Sequence, residues 1–110
     1  MDREFIMTPV FDRSWKSLGL SDEDLIDLQN EIMKNPKIGV PLEGAPSVRK
    51  MRFAIRNKGK SGGSRVFYID FEIKEIVVLL LIYAKGDKEN LTKAETNALN
   101  IYSKEIERSL

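Results

Sequence analysis

The hydrophobic pattern changes period along the chain, and these changes separate predicted strands from predicted helices. Ile76 to Tyr83, IVVLLLIY, is apolar at every position, which predicts a strand inside a sheet with both faces covered. The segment is too short to cross a membrane as a helix, which takes about 20 residues. Val48 to Ile55 and Arg65 to Phe71 are predicted as the two preceding strands, and the Glu72 to Glu75 turn is short enough for a hairpin.

The beginning of the chain predicts a strand followed by a short helix. Glu4 to Phe11 is the candidate strand, and Pro9 either confines it to a sheet edge or ends it early. Phe11 to Leu18 is the candidate helix, and the glycine that follows it at position 19 ends it.

Two further helices have clear end signals. Ser21 is the predicted N-cap of the first, and the Asn35-Pro36 pair ends it. Thr92 and Glu95 form the T-x-x-E capping box of the second, which is expected to run to about residue 108. The connection at residues 37–47, KIGVPLEGAPS, is rich in glycine and proline and is predicted to be a loop.

Together these elements predict an α+β fold with the order β-α-α-β-β-β-α. We expect a twisted antiparallel sheet of about four strands with the helices packed on one side. The 110 residues have the length of one domain, and no repeat or linker divides them, so residues 1–110 are predicted to form a single domain.

Charge is segregated along the chain although the formal net charge is only +1. Residues 45–68 contain no Asp or Glu, and the basic residues in this part of the chain are Arg49, Lys50, Arg52, Arg56, Lys58, Lys60 and Arg65. Strand alternation places Lys50 and Arg52 on the same face. Such a cluster suits a polyanion, for which the RNA or DNA backbone is the leading candidate. The alternative is an ordinary solvated surface.

Composition excludes several kinds of site. The chain has no Cys and no His, so it has no disulfide, no thiolate metal site, no cysteine nucleophile and no histidine base. The glycine-rich segment KGKSGGS at residues 58–64 lacks the spacing of a nucleotide-binding phosphate loop, and no helix is predicted to follow it. The N-terminal residues do not resemble a secretory signal, which leaves the cytoplasm as the expected location.

Three other residues are candidates for the surface that the basic residues of this cluster form. Tyr68 and Tyr83 lie on predicted strands, where each either packs in the core or offers a hydroxyl or a base-stacking ring at the edge of that surface. Lys85 follows the last strand directly, so it either completes the cluster or is an ordinary solvated loop lysine.

Three segments occur together in order: NPKIGVPLEG at residues 35–44, VRKMRFAIRNKGKSGGSRVFYI at residues 48–69 and LLIYAKGDKENLT at residues 80–92. Within them an R-K-x-R strand, a basic K-G-K-x-G-G-S-R hairpin and an I-Y-x-K strand end follow one another. Together these features resemble the RelE superfamily of bacterial toxins and, within it, the HigB-like group.

The resemblance implies a RelE-like fold and an endoribonuclease that cleaves mRNA in the A site of the small ribosomal subunit. No metal or other cofactor is expected to be required, and no membrane partner is expected. The implied partner is a cognate antitoxin, typically with a helix-turn-helix domain, through which the complex binds operator DNA. The family's basic positions fall here on Lys50, Arg52, Arg65 and Lys85, whereas positions that hold an arginine and a catalytic tyrosine in several members appear as Gly86 and Thr92.

The expected chemistry is attack of an RNA 2′-hydroxyl on the adjacent phosphorus. Arg52 and Arg65 would bind the phosphate oxygens. Lys50 would act as the base, and Lys85 or Tyr83 would protonate the leaving oxygen. A second group is predicted to contact RNA or the ribosome: Arg49, Arg56, Lys58, Lys60 and Tyr68.

Two alternatives stay open at the level of sequence. The first is a toxin of the same fold that inhibits DNA gyrase by binding, and the second is a non-enzymatic module that binds nucleic acid or protein. The combination of Lys50, Arg52 and Arg65 argues against the gyrase inhibitor. Cleavage of translated mRNA in cells would separate the three functions.

Overall fold

The computed structural model describes residues 3–55, 63–86, 88 and 90–110. The elements are β1 (Glu4–Met7), α1 (Pro9–Ser17), α2 (Asp22–Lys34), β2 (Val40–Leu42), β3 (Ala45–Ala54), β4 (Gly63–Phe71), β5 (Ile76–Ala84) and α3 (Lys93–Ser109). The strands form one sheet in the order β1-β5-β4-β3-β2. The α+β class is therefore confirmed, with one strand more than expected. No helix in the described ranges is long and apolar enough to cross a membrane.

The additional strand, β2, lies inside the segment that was predicted to be a loop. It pairs antiparallel with β3 and forms one edge of the sheet. Pro41 can occupy this strand because an edge strand has one side without hydrogen-bond partners, where the missing N–H costs little. The loop predicted from the glycine and proline content of residues 37–47 is therefore wrong for Val40–Leu42.

The first strand also differs from the prediction, because it makes the sheet mixed. β1 ends at Met7 and runs parallel to β5, with Glu4 paired with Ile76. Its start is held by a hydrogen bond from the Glu4 amide to the carbonyl of Glu75 and by a buried ion pair between Arg3 Nε and Asp70 Oδ1 at 2.8 Å. Hydrophobic periodicity carries no information on strand direction, so the sequence could not reveal this pairing.

Helices cover both faces of the sheet rather than one. On one face, α1 and α2 bury Phe11, Trp15, Leu28 and Ile32 against β3, β4 and β5. On the other face, Leu99 of α3 belongs to a second apolar cluster, with the half-buried Tyr102 and Ile106 packed against it. Packing on one side only would leave half of the fully apolar strand β5 in water, so its sequence requires cover on both faces.

The predicted N-cap at Ser21 and the predicted capping box at Thr92 are both present, and Ser21 also forms a capping box. Ser21 and Asp24 exchange hydrogen bonds at the start of α2. At the start of α3, Thr92 Oγ1 accepts from the Glu95 amide, and Glu95 Oε1 accepts from the Thr92 amide at 2.8 Å. Lys88 Nζ also reaches Glu95 Oε1, at 2.6 Å. These contacts tie the connection after β5 to α3, and they lower the pKa of Glu95, chiefly through the Lys88 hydrogen bond.

A hydrogen-bond clamp around Gly39 positions β2. The buried hydroxyl of Tyr68 accepts from the Gly39 amide at 2.9 Å and donates to the Pro36 carbonyl at 2.8 Å. The Arg49 guanidinium donates to the Gly39 carbonyl at 2.7 Å. A Cβ on Gly39 would lie 2.9 Å from a ring carbon of Tyr68, so only glycine fits this close approach.

We expect Tyr68→Phe to lower the free energy of unfolding by about 1–3 kcal/mol, because the buried Gly39 amide loses its partner. Urea unfolding followed by circular dichroism measures the change. Tyr102→Phe, at a half-buried tyrosine on α3, is the matched control and should be close to neutral. Equal stability of Tyr68→Phe and the wild type would show that the hydroxyl does not hold β2.

We expect Glu95→Gln to destabilise the protein at neutral pH and to lose that effect in acid. Glutamine keeps the capping geometry but not the charge that faces Lys88. Since the pKa of Glu95 is lowered in the folded state, its stabilisation is present above the ordinary glutamate pKa and lost as the pH falls through the folded value.

The measurement is the difference in unfolding free energy between wild type and Glu95→Gln across that pH range. Asp12→Asn is the control, because Asp12 pairs with Lys16 on an exposed helix surface, where such pairs contribute little. A Glu95 difference that stays constant with pH would mean that the Lys88 contact contributes no stability.

Candidate active site

The register of three strands brings two predicted arginines and a tyrosine into one row. Arg52 on β3 pairs directly with Arg65 on β4, and Arg65 pairs with Tyr83 on β5. Directly paired residues point to the same face, with Cβ atoms about 5 Å apart. The guanidinium groups of Arg52 and Arg65 can therefore reach one phosphate.

Two lysines complete the cluster, which we call the cationic groove and define as Lys50, Arg52, Arg65 and Lys85. Arg52, Arg65 and Lys85 line one depression. Lys50 lines the adjoining one with the same two arginines. The Lys85 amide donates to the Gly63 carbonyl at 3.0 Å, which continues the β4–β5 ladder and holds Lys85 at the rim.

Tyr83 lies at the inner end of the row. It is 9% exposed, its ring packs against Phe67 with 5.7 Å between centroids, and Lys88 Nζ lies 5.7 Å from its ring centroid. Burial raises the pKa of Tyr83, whereas the charges of Arg65 and Lys88 act in the opposite direction. The net direction keeps the hydroxyl protonated, which suits a proton donor and not a base.

Two of the residues predicted to bind RNA make hydrogen bonds to the backbone around Gly39. Arg49 lies next to Lys50 in the strand, so alternation turns its side chain to the α1–α2 face, where it bonds Gly39. Tyr68 has no exposed surface, so its ring cannot stack on a base and that prediction is wrong. The predicted contacts at Arg56, Lys58 and Lys60 lie outside the described residues.

The structure adds residues that the sequence patterns did not single out. Glu43 and Asn90 line a depression with Lys50 and Tyr83, so a carboxylate borders the cations. Ile38 and Val40 line the depression that holds Lys50 and both arginines. A hairpin in VPLEGAP, residues 40–46, would have placed Glu43 and Val40 beside Lys50. The sequence signal for it is Gly44, which has a positive φ of 90° in the turn.

The side chains of the groove are of the types that bind anions and transfer protons. Its arginines offer bidentate donors to phosphate oxygens, and its lysines and the neighbouring Tyr83 are side chains that take part in proton transfer. Within the ranges that the structure describes, no three His, Cys, Asp or Glu side chains come together as a metal site.

Comparison with a solved structure gives the same fold at low sequence identity. A double arginine-to-alanine mutant of the E. coli toxin RelE in the free state matches with a TM-score of 0.53 and 21% identity, covering 100% of both chains. The isolated E. coli RelE toxin gives a TM-score of 0.48 and 20% identity, with 98% of this chain and 99% of that chain covered.

The sequence itself matches a family profile over nearly its whole length. Residues 4–109 match the family described as the RelE toxin of the RelE/RelB toxin–antitoxin system. This range contains all the strands and helices and every residue of the cationic groove. The chain therefore belongs to the RelE toxin family of toxin–antitoxin systems.

Proposed function

We propose that this protein is a ribosome-dependent endoribonuclease that inhibits translation by cleaving mRNA in the A site of the small ribosomal subunit. The observation that carries the proposal is the direct pairing of Arg52 with Arg65 in a groove that also holds Lys50 and Lys85. Like charges placed directly opposite one another destabilise a sheet. A bound phosphate would offset the repulsion between the two arginines, which supports a phosphate-binding role for the pair.

The proposed reaction needs only groups of the protein and the RNA. The 2′-oxygen forms a bond to the adjacent phosphorus while the bond from phosphorus to the 5′-oxygen breaks, leaving a cyclic phosphate and a 5′-hydroxyl. Arg52 and Arg65 stabilise the charge that develops on the phosphate oxygens. Neutral Lys50 accepts the 2′-hydroxyl proton, and Tyr83 or Lys85 gives a proton to the 5′-oxygen.

The ribosome supplies what this small groove lacks. A flexible RNA strand must be bent so that its 2′-oxygen lies in line with the leaving oxygen. Holding that geometry is a positioning effect that can account for a large part of a rate enhancement. We propose that the A site holds the mRNA in this bend and that the toxin contributes charge and proton transfer. The reaction would then take place in the cytoplasm, where ribosomes translate mRNA.

Family membership implies a cognate antitoxin. We propose that an acidic or apolar antitoxin segment covers the cationic groove or packs beside it, because opposite charge is the direct way to neutralise this surface. We further propose that the antitoxin carries a helix-turn-helix domain and that operator DNA contacts the complex only through it.

We expect expression of the protein alone to arrest growth and translation, and co-expression of the neighbouring antitoxin to restore both. Primer extension on cellular mRNA should show new 5′ ends within codons that occupy the A site. Arrest with intact mRNA and inhibited DNA supercoiling would instead indicate a gyrase inhibitor. Normal growth at high expression of the folded protein would contradict the toxin function.

We expect Arg65→Ala to reduce the single-turnover cleavage rate on mRNA-programmed ribosomes by about 10²- to 10³-fold at saturating protein, because one charge-stabilising donor is lost. Arg65→Lys should stay impaired, since it keeps the charge but loses the bidentate geometry. A contact needed only for binding would be rescued by more protein.

The control for both variants is Arg13→Ala, which removes an exposed arginine from α1 on the opposite face of the sheet. Circular dichroism checks that each variant is folded. Wild-type cleavage rates in folded Arg65→Ala would remove Arg65 from the reaction.

A further inference from the structure

Two exposed aliphatic side chains stand beside the cationic groove. Ile38 is 43% exposed and Val40 is 59% exposed, and both line the depression formed with Lys50, Arg52 and Arg65. Val40 pairs directly with Lys50, so the two side chains project from the same face of the sheet. One surface therefore offers apolar contact next to positive charge.

The Gly39 clamp holds these two side chains outward. Gly39 lies between them and is buried, its amide and carbonyl are both hydrogen-bonded, and it has no room for a side chain. The backbone cannot turn over to bury Ile38 and Val40 without breaking these bonds. Single exposed apolar residues are common. Here, however, two of them lie side by side, and the hydrogen bonds from Tyr68 and Arg49 to Gly39 hold the backbone between them in place.

A ligand that fits this surface must combine an apolar face with negative charge. A nucleotide does so, because its base has a planar apolar face and its phosphate is anionic. β2 and β4 lie two strand spacings apart, about 10 Å, a distance that a nucleotide and its flanking phosphate can span. Only an unpaired base has a free face to offer, so the surface fits single-stranded RNA better than a duplex.

We propose that Ile38 and Val40 form a shelf on which one base of the single-stranded mRNA packs while its neighbouring phosphate lies on Arg52 and Arg65. This inference rests on the proposed ribonuclease function and adds the group that positions the substrate. The shelf touches a base face and makes no hydrogen bond to a base edge, so it contributes affinity and placement with little preference among the four bases.

The test crosses a protein change with an RNA change on the full chain. The protein variant is Ile38→Ser with Val40→Ser. The RNA is ribosome-bound mRNA that carries an abasic ribose at each A-site position in turn. Single-turnover cleavage is measured as the toxin concentration is raised, which gives the concentration for half-maximal rate and the maximal rate.

We expect the double serine variant to raise the half-saturating concentration about tenfold on intact mRNA, because the apolar contact with the base is lost. At one A-site position the abasic mRNA should have the same effect on the wild type. Combining the two changes should then cost about tenfold and not a hundredfold, because both remove the same contact.

Ile73→Ser is the matched control, since Ile73 is 97% exposed in the β4–β5 turn at the other end of the sheet. It should leave cleavage unchanged, and circular dichroism should show that all variants are folded. If the wild type cleaves mRNA but the effects of the protein change and the RNA change are fully additive at every A-site position, the shelf is refuted. The proposed nuclease function would be unaffected by that result. Normal cleavage by the double variant with weakened antitoxin binding would overturn the shelf too, and would assign the two side chains to the antitoxin. Absence of cleavage by the wild type would refute the proposed function itself.

Discussion

The register between β3 and β4 is the constraint on which the candidate active site depends. A shift of β3 by one residue against β4 would turn Arg52 away from Arg65 and toward the apolar face under α1 and α2. The register is fixed by neighbours in the core, where Met51 pairs with Val66 and both belong to the cluster under these helices. Two residue pairs further along, the buried hydroxyl of Ser64 donates to the Phe53 carbonyl at 3.0 Å. Core packing therefore sets the position of the surface charges.

Local chemistry made part of this structure predictable. Caps at Ser21 and Thr92 satisfy nearby amides, and alternation along β3 needs only neighbouring residues, so both could be predicted from sequence. Alternation fails along β5, where Leu79 and Leu81 pair with consecutive residues of β4 and Leu80 is the additional residue of a bulge. The bulge moves Tyr83 to the face of Val78 and Leu80. No pattern in a uniformly apolar strand marks such a point.

The two tyrosines show why sequence could not assign every site residue. Each is an aromatic residue on a strand near basic residues, and the sequence gives them equal standing. In the structure, the Tyr68 hydroxyl is hydrogen-bonded to the backbone of Pro36 and Gly39, whereas Tyr83 borders the cationic groove. Thr92, at a position where several family members have a tyrosine, caps α3. The proposed catalytic tyrosine is therefore Tyr83, and the HigB-like subgroup stays a prediction.

The pairing of Arg52 with Arg65 also has a consequence for the evolution of such a protein. Neither arginine forms an ion pair among the residues that the structure describes, so their repulsion opposes folding until an anion occupies the groove. Replacing either one removes activity under the proposed mechanism and relieves the repulsion at the same time. Most random substitutions destabilise proteins, whereas these two also remove a repulsion between like charges. In a gene copy no longer selected for toxicity, loss of either arginine is therefore opposed less by folding than most other substitutions.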